Sequence, residues 1–175
     1  RITYAFADFG IEVSQQQALE FQHRYAFYQQ HIEVHPLMKE LLDYGQQQGW
    51  RMGIITNGPA EHQAGKVKQL RMDRWIAPED TFISGKLGIS KPDTAIFRYV
   101  EQHMNIDPAD TCYLGDSYLN DIVGAKKAGW RCIWINRRQI VLPDHVEYLP
   151  DANLDKTQHP LDAAFYPDSH LVDTP

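Results

Sequence analysis

From Pro36 to Ile135 the sequence alternates, four times in succession, between a segment of helical periodicity and a short β-rich run. Strands separated by helices of this length need crossover connections, and crossovers of that kind build a parallel sheet with helices packed on it. The first unit pairs a helix over "HPLMKELLDYGQQQG" with a strand over "WRMGIIT". Pro36 takes the first helical position there, Leu37, Leu41 and Leu42 share a face, and Gly49 stops the helix. A helix over "NGPAEHQAGKVKQL", with Pro59 near its first turn, leads to the strand "TFIS". In "KPDTAIFRYVEQHM", Pro92 is expected to open a helix carrying Ile96, Phe97, Val100 and Met104, and an Asp107-Pro108 turn returns the chain to "DTCYLG". The last unit is "NDIVGAKKAG", ended by Gly129, followed by "WRCIWI".

The fold class is therefore α/β, a doubly wound parallel sheet. Residues 1–35 differ, because "SQQQALEFQHRYAFYQQ" has helical periodicity and no strand. They are expected to form a small helical segment beside the sheet domain of residues 36–175, with Phe21, Tyr25, Phe27 and Tyr28 packed between the two. Beyond Gln139 the pattern loosens into a Pro- and Asp-rich stretch, with one edge strand expected near 169–172.

Composition narrows the partners. A net charge of -6 gives no basic field, which argues against nucleic acid or an anionic membrane surface as the main partner. The sequence contains no apolar run of about 18 residues and no secretion signal, so the cytosol is the default expectation. Cys112 and Cys132 both fall in apolar strand-like runs and are expected to be free, buried thiols. The opening on Arg1, with no initiator methionine, gives the chain the look of a piece whose upstream part is missing. Nothing in the sequence fixes an oligomeric state.

Open parallel sheets bind ligands beyond the carboxyl ends of their strands. Three such ends carry polar groups. In "GIITNGP", Thr56, Asn57 and Gly58 offer a hydroxyl, an amide and free N–H groups suited to a phosphate oxyanion, although Thr56 or Asn57 could equally cap the next helix. In "GISKPD", Lys91 stands before an expected helix start, where the dipole disfavours a cation unless an anion meets it. In "YLGDSYLND", Asp116 sits at a strand tip behind Gly115, and Asp121 follows at the start of the next helix. Two carboxylates this close repel unless a cation lies between them. Mg²⁺, which takes one or two carboxylates together with substrate phosphate, suits such a pair; the alternative is a turn aspartate and a helix cap. Elsewhere, His31 and His35 have the i, i+4 spacing of zinc ligands but no further ligand completes a set. Arg137 and Arg138 follow a strand end and are expected to be solvated, with a substrate contact as the alternative.

Taken in order, "IITNG", "SKPD" and "GDSYLND" resemble the second, third and fourth motifs of the haloacid dehalogenase-like hydrolases, over roughly residues 36–138. The flanking stretches look closest to the capped branch that includes nucleotidases and sugar-phosphate phosphatases. The resemblance implies a Mg²⁺-dependent phosphatase of a small phosphorylated metabolite, with residues 1–35 as part of a helical cap. Thr56 would be the phosphate-binding hydroxyl, with Asn57 and Gly58 beside it and Lys91 as the motif lysine. Asp116 would be the metal ligand and Asp121 the acidic partner that holds metal or lysine. An aspartate of the family's first motif would attack phosphorus, and another, two residues on, would act as acid and base.

That first motif, a strand ending in Asp-x-Asp, has no counterpart in this sequence. Asp8, in "AFADFG", lacks a second carboxylate two positions later and lies in a run of helical character ending at Gly10. The nucleophile is therefore expected upstream, on a strand whose absence would leave its neighbours' edges open. Two other readings stay open: a haloacid dehalogenase on the same scaffold, and a non-catalytic binding protein.

Overall fold

The computed structural model describes residues 2–155. Two helices open the chain, α1 (Ile2–Ala7) and α2 (Gln15–Gln30). Ser14 caps α2 in a reciprocal box: its hydroxyl accepts from Gln17 N at 3.2 Å, while the Gln17 side chain accepts from Ser14 N at 2.8 Å. Next come α3 (Pro36–Gln47), β1 (Ile54–Thr56), α4 (Ala60–Gln69), β2 (Thr81–Ile83) and the short α5 (Ser84–Leu87). The chain continues through α6 (Thr94–Met104), β3 (Cys112–Gly115), a π-helical turn (Tyr118–Ile122), α7 (Val123–Lys127), β4 (Arg131–Ile135) and β5 (Ala152–Leu154). No helix among the described residues is long and apolar enough to cross a membrane.

Among the described residues every strand pairing is parallel, but the strands form two groups rather than one continuous sheet. β1 pairs with β2, and β3, β4 and β5 pair in that order. Alternation sorts the side chains between two faces. Ile55, Phe82, Cys132 and Trp134 point into the main core with Ile96, Phe97, Val100 and Met104 of α6, together with Ile122 and Ala125. Phe97 is fully buried and meets the rings of Tyr113 and Trp130 edge-on. On the opposite face Leu114, Ile133, Ala152 and Leu154 form a smaller cluster. The helices there close less tightly, for α4 buries none of its residues. A cavity of about 520 Å³ lies between α3, α4 and the strand ends.

Several elements depart from their sequence-based expectations. The strand expected from Trp50 begins only at Ile54. Trp50 stacks edge-on against Tyr44, and Arg51 reaches sideways to Asp80 and to the Met104 carbonyl. α6 starts at Thr94 rather than Pro92, because the Asp93 carboxylate caps it by accepting from Ala95 N at 2.9 Å. Lys91 therefore does not abut a helix N-terminus, and the dipole argument for it fails. Of the two thiols Cys132 is buried as expected, but Cys112, at the start of β3, is exposed. The aromatic residues of α2 do not reach the core: Phe21, Tyr25, Phe27 and Tyr28 are about half exposed or more. Phe21 instead meets Phe6 and Tyr25 within the helical pair. The edge strand expected near 169–172 lies outside the described residues.

Phe97 holds the main core between both strand groups. Phe97→Ala is expected to lower unfolding free energy by about 3–5 kcal/mol, read from urea midpoints; a loss below about 1 kcal/mol would show that α6 does not organise this core.

Candidate functional site

The segment leaving β1 is held in place by its own polar groups. The Asn57 side chain clamps Lys91 on both sides, donating to its carbonyl at 2.8 Å and accepting from its N–H at 3.0 Å. Gly58 N donates to Ser84 Oγ at 2.9 Å, and Gly85 N returns a bond to Gly58 O at 3.1 Å. A Cβ on Gly85 would lie 2.9 Å from Ala60 N, so a side chain there would push the two loops apart. Neither Asn57 nor Gly58 caps α4, whose N-cap is Pro59. Their polar groups tie the end of β1 to Lys91 and to the start of α5, whereas the sequence suggested phosphate donors. Thr56 is half-buried on the cavity wall, where its hydroxyl donates to Gln63 Oε1 at 3.1 Å.

Lys91 extends inward, between the two strand groups. Its ammonium donates to Asp121 Oδ1 at 2.6 Å, to Tyr113 Oη at 2.7 Å and to Ile55 O at 3.0 Å, which uses its three protons. Both side chains of the ion pair are almost fully buried. Asp121 Oδ2 accepts from Ser117 N at 2.9 Å, so both of its oxygens are engaged. Gly115 makes this approach feasible, because a Cβ there would stand 2.5 Å from Asp121 Cγ. Thus Asp121 faces the lysine, while Asp116 turns the other way. The Asp116 carboxylate has no hydrogen bond or ion pair among the described residues, and it lines the same cavity as Thr56. The sequence-predicted residues therefore separate into a buried group, Lys91 and Asp121 with Asn57 beside them, and a cavity group, Thr56 and Asp116.

A family model for haloacid dehalogenase-like hydrolases matches residues 3–129. This chain belongs to that family. Among similar proteins, the glyceraldehyde 3-phosphate phosphatase of Methanopyrus kandleri is 27% identical over 141 residues, covering 79% of this chain and 58% of the relative. The crystal structure of a 2-haloacid dehalogenase from Pseudomonas syringae pv. Tomato DC3000 is 27% identical with a TM-score of 0.64, covering 95% of this chain and 67% of that one. The HAD-hydrolase YfnB from Bacillus subtilis, solved bound to magnesium, is 23% identical with a TM-score of 0.68, covering 87% of this chain and 64% of that one. The chain spans only part of its curated relatives, from 35% to 58% of their length.

In this haloacid dehalogenase-like chain, Tyr113 is the site residue that sequence reasoning missed. Its hydroxyl donates to Ile55 O at 3.1 Å, from β3 across to β1, two strands that are not paired with each other. The signal was present in "CYLG", where strand alternation puts Tyr113 on the same face as Gly115, but a tyrosine in an apolar run reads first as core. Burial pushes its hydroxyl well above the ordinary tyrosine range, and the Asp121 charge adds to the effect. A raised pKa in the folded state contributes stability that is complete below the unfolded value of about 10 and is lost as pH climbs through the folded value. Tyr113→Phe should therefore cost about 1–3 kcal/mol near neutrality, from the lost hydrogen bonds. It should also flatten the alkaline decline of urea midpoints above about pH 10. Equal alkaline slopes in the two proteins would contradict this assignment.

Proposed function

We propose that this protein is a Mg²⁺-dependent hydrolase of small phosphate monoesters, working through an aspartyl-phosphate. The observation that carries the reading is the free Asp116 carboxylate on a cavity wall shared with the Thr56 hydroxyl. Among the described residues no group of three or more His, Cys, Asp or Glu side chains could enclose a metal ion. That suits Mg²⁺, which keeps several waters and takes one or two protein carboxylates plus substrate oxygens. The phosphatase named among the relatives and the magnesium in YfnB support the same choice.

In this reading Asp116 holds the ion, which would supply positive charge to the phosphoryl oxygens. Thr56 orients one of those oxygens by hydrogen bonding. Lys91 stands behind the rim, held in its ion pair with Asp121. The nucleophilic aspartate belongs on a strand that would fill the space between β1 and β3, each of which has one edge without a main-chain partner among the described residues. Such a strand would compete for Ile55 O, which Lys91 and Tyr113 now occupy. Residues 1–35 form part of a cap, for Glu33, Val34 and His35 border the cavity.

The test uses the full-length protein with its native flanking residues. Asp116→Asn should reduce Mg²⁺-dependent hydrolysis of small phosphate esters on the order of 100-fold or more, and EDTA should abolish the wild-type rate. Wild-type turnover in the variant would sink the proposal. The Pseudomonas syringae dehalogenase favours a second reading, displacement of halide from a haloacid, which needs no metal. Haloacid turnover that survives EDTA would select it.

A further inference from the structure

Asp116 is exposed, and its carboxylate has no hydrogen bond or ion pair among the described residues. Side-chain contacts therefore do not aim it; the backbone does. β3 ends at Gly115, which stands opposite Trp134 in the register, so Asp116 is the first residue past the ladder. Its carbonyl accepts from the Trp134 indole N–H at 3.1 Å. The N–H of the same peptide unit, that of Ser117, donates to Asp121 Oδ2 at 2.9 Å. One peptide plane is thus held at both poles, and the Asp116 Cα at its edge carries the carboxylate.

Trp134 is itself fixed. It is 1% exposed and alternates with Trp130 and Cys132 onto the core face of β4. Its ring meets that of Tyr118 at 5.5 Å, and Tyr118 Oη is tied to Tyr148 O at 2.7 Å. Two residues on, the Asn136 N–H goes to Leu154 O at 2.8 Å, so the backbone at the end of β4 is engaged with β5, and the indole is what reaches back to Asp116. The indoles of Trp75 and Trp130, by contrast, donate to Asp43 on α3 and Glu101 on α6, both at 2.7 Å. By periodicity the last tryptophan of "WRCIWI" reads as core, and its ring is core; its nitrogen has a second task.

We propose that Trp134 is a positioning residue, which orients Asp116 toward Mg²⁺ by holding the Asp116 carbonyl. This rests on the Mg²⁺-dependent phosphatase reading and adds to it a residue outside the three motifs. Mg²⁺ demands near-ideal octahedral geometry, whereas Ca²⁺ accepts flexible ligand sets. A carboxylate on a loosened backbone should therefore lose Mg²⁺ more than Ca²⁺. Outer partners of metal ligands typically control affinity by about 10–100-fold.

Calorimetric titration of the full-length protein, with its native flanking residues, against Mg²⁺ alone and Ca²⁺ alone tests this. Trp134→Phe removes the N–H and keeps an aromatic ring; it should weaken Mg²⁺ binding about 10-fold and lower the ratio of Mg²⁺ to Ca²⁺ affinity. Trp130→Phe loses an indole hydrogen bond of the same kind away from the site, and should keep both affinities. Should Trp134→Phe not fold, benzothienylalanine at position 134, which has the shape of tryptophan without the N–H, must give the same shift. An unchanged ratio, or an equal fall in Trp130→Phe, overturns the positioning role and leaves the phosphatase reading in place. Failure of the wild type to bind Mg²⁺, or an affinity that Asp116→Asn does not reduce, removes the reading and the inference together.

Discussion

The Lys91 ammonium lies between two strand groups that share no main-chain hydrogen bond among the described residues, and it bonds to both. One acceptor, Ile55 O, belongs to β1. The other two, Tyr113 Oη and Asp121 Oδ1, belong to β3 and to the turn that follows it. A buried cation is tolerated only when its protons are all placed, and here three acceptors match three donors. The same contact fixes the chemistry at the rim. With Asp121 drawn inward by Lys91 and by Ser117 N, Asp116 is the member of the pair left facing the cavity.

Close packing on one face and looser closure on the other follow from the strand pattern. Ile55, Phe82, Cys132 and Trp134 meet a helix, α6, that presents Ile96, Phe97, Val100 and Met104 as one stripe. The residues between them, Ile54, Thr56 and Ile135, face α3 and α4, and α4 buries nothing. The Cys132 thiol, pushed up to about 12 by burial, belongs to the closed face. The cavity, with Thr56, Asp116, Lys66 and Arg137 on its wall, belongs to the open one.

Much of this was legible in the sequence. Period-two runs bounded by glycine and proline located β2, β3 and β4, and helical spacing located α3 and α6, because each of these patterns is local. What failed was contact between distant segments. The 50–53 run has strand composition, yet its partner strand β2 is only three residues long and Arg51 is taken by Asp80, so the ladder stops at Ile54. Of the acidic pair, Asp121 meets a positive charge and Asp116 meets none among the described residues. That Asp121 would meet Lys91, thirty positions away, depends on the crossover geometry. Nothing near Asn57 in sequence showed that its side-chain amide would bond both to Lys91 N and to Lys91 O. The parallel class was legible, and so were the open edges expected where the first-motif strand is absent; that Lys91 and Tyr113 would bridge them was not, since side-chain contacts between distant segments are not encoded in periodicity.

The central claim is that Lys91 and Asp121 are one coupled unit joining the two strand groups. A thermodynamic cycle over Lys91→Met, Asp121→Leu and the double variant tests it by urea unfolding. Each single change should cost about 3–5 kcal/mol, because it strands a buried charge, and the double variant should cost clearly less than the sum. Costs that simply add would mean that the two side chains do not depend on each other, and the account of the site built on them would be wrong.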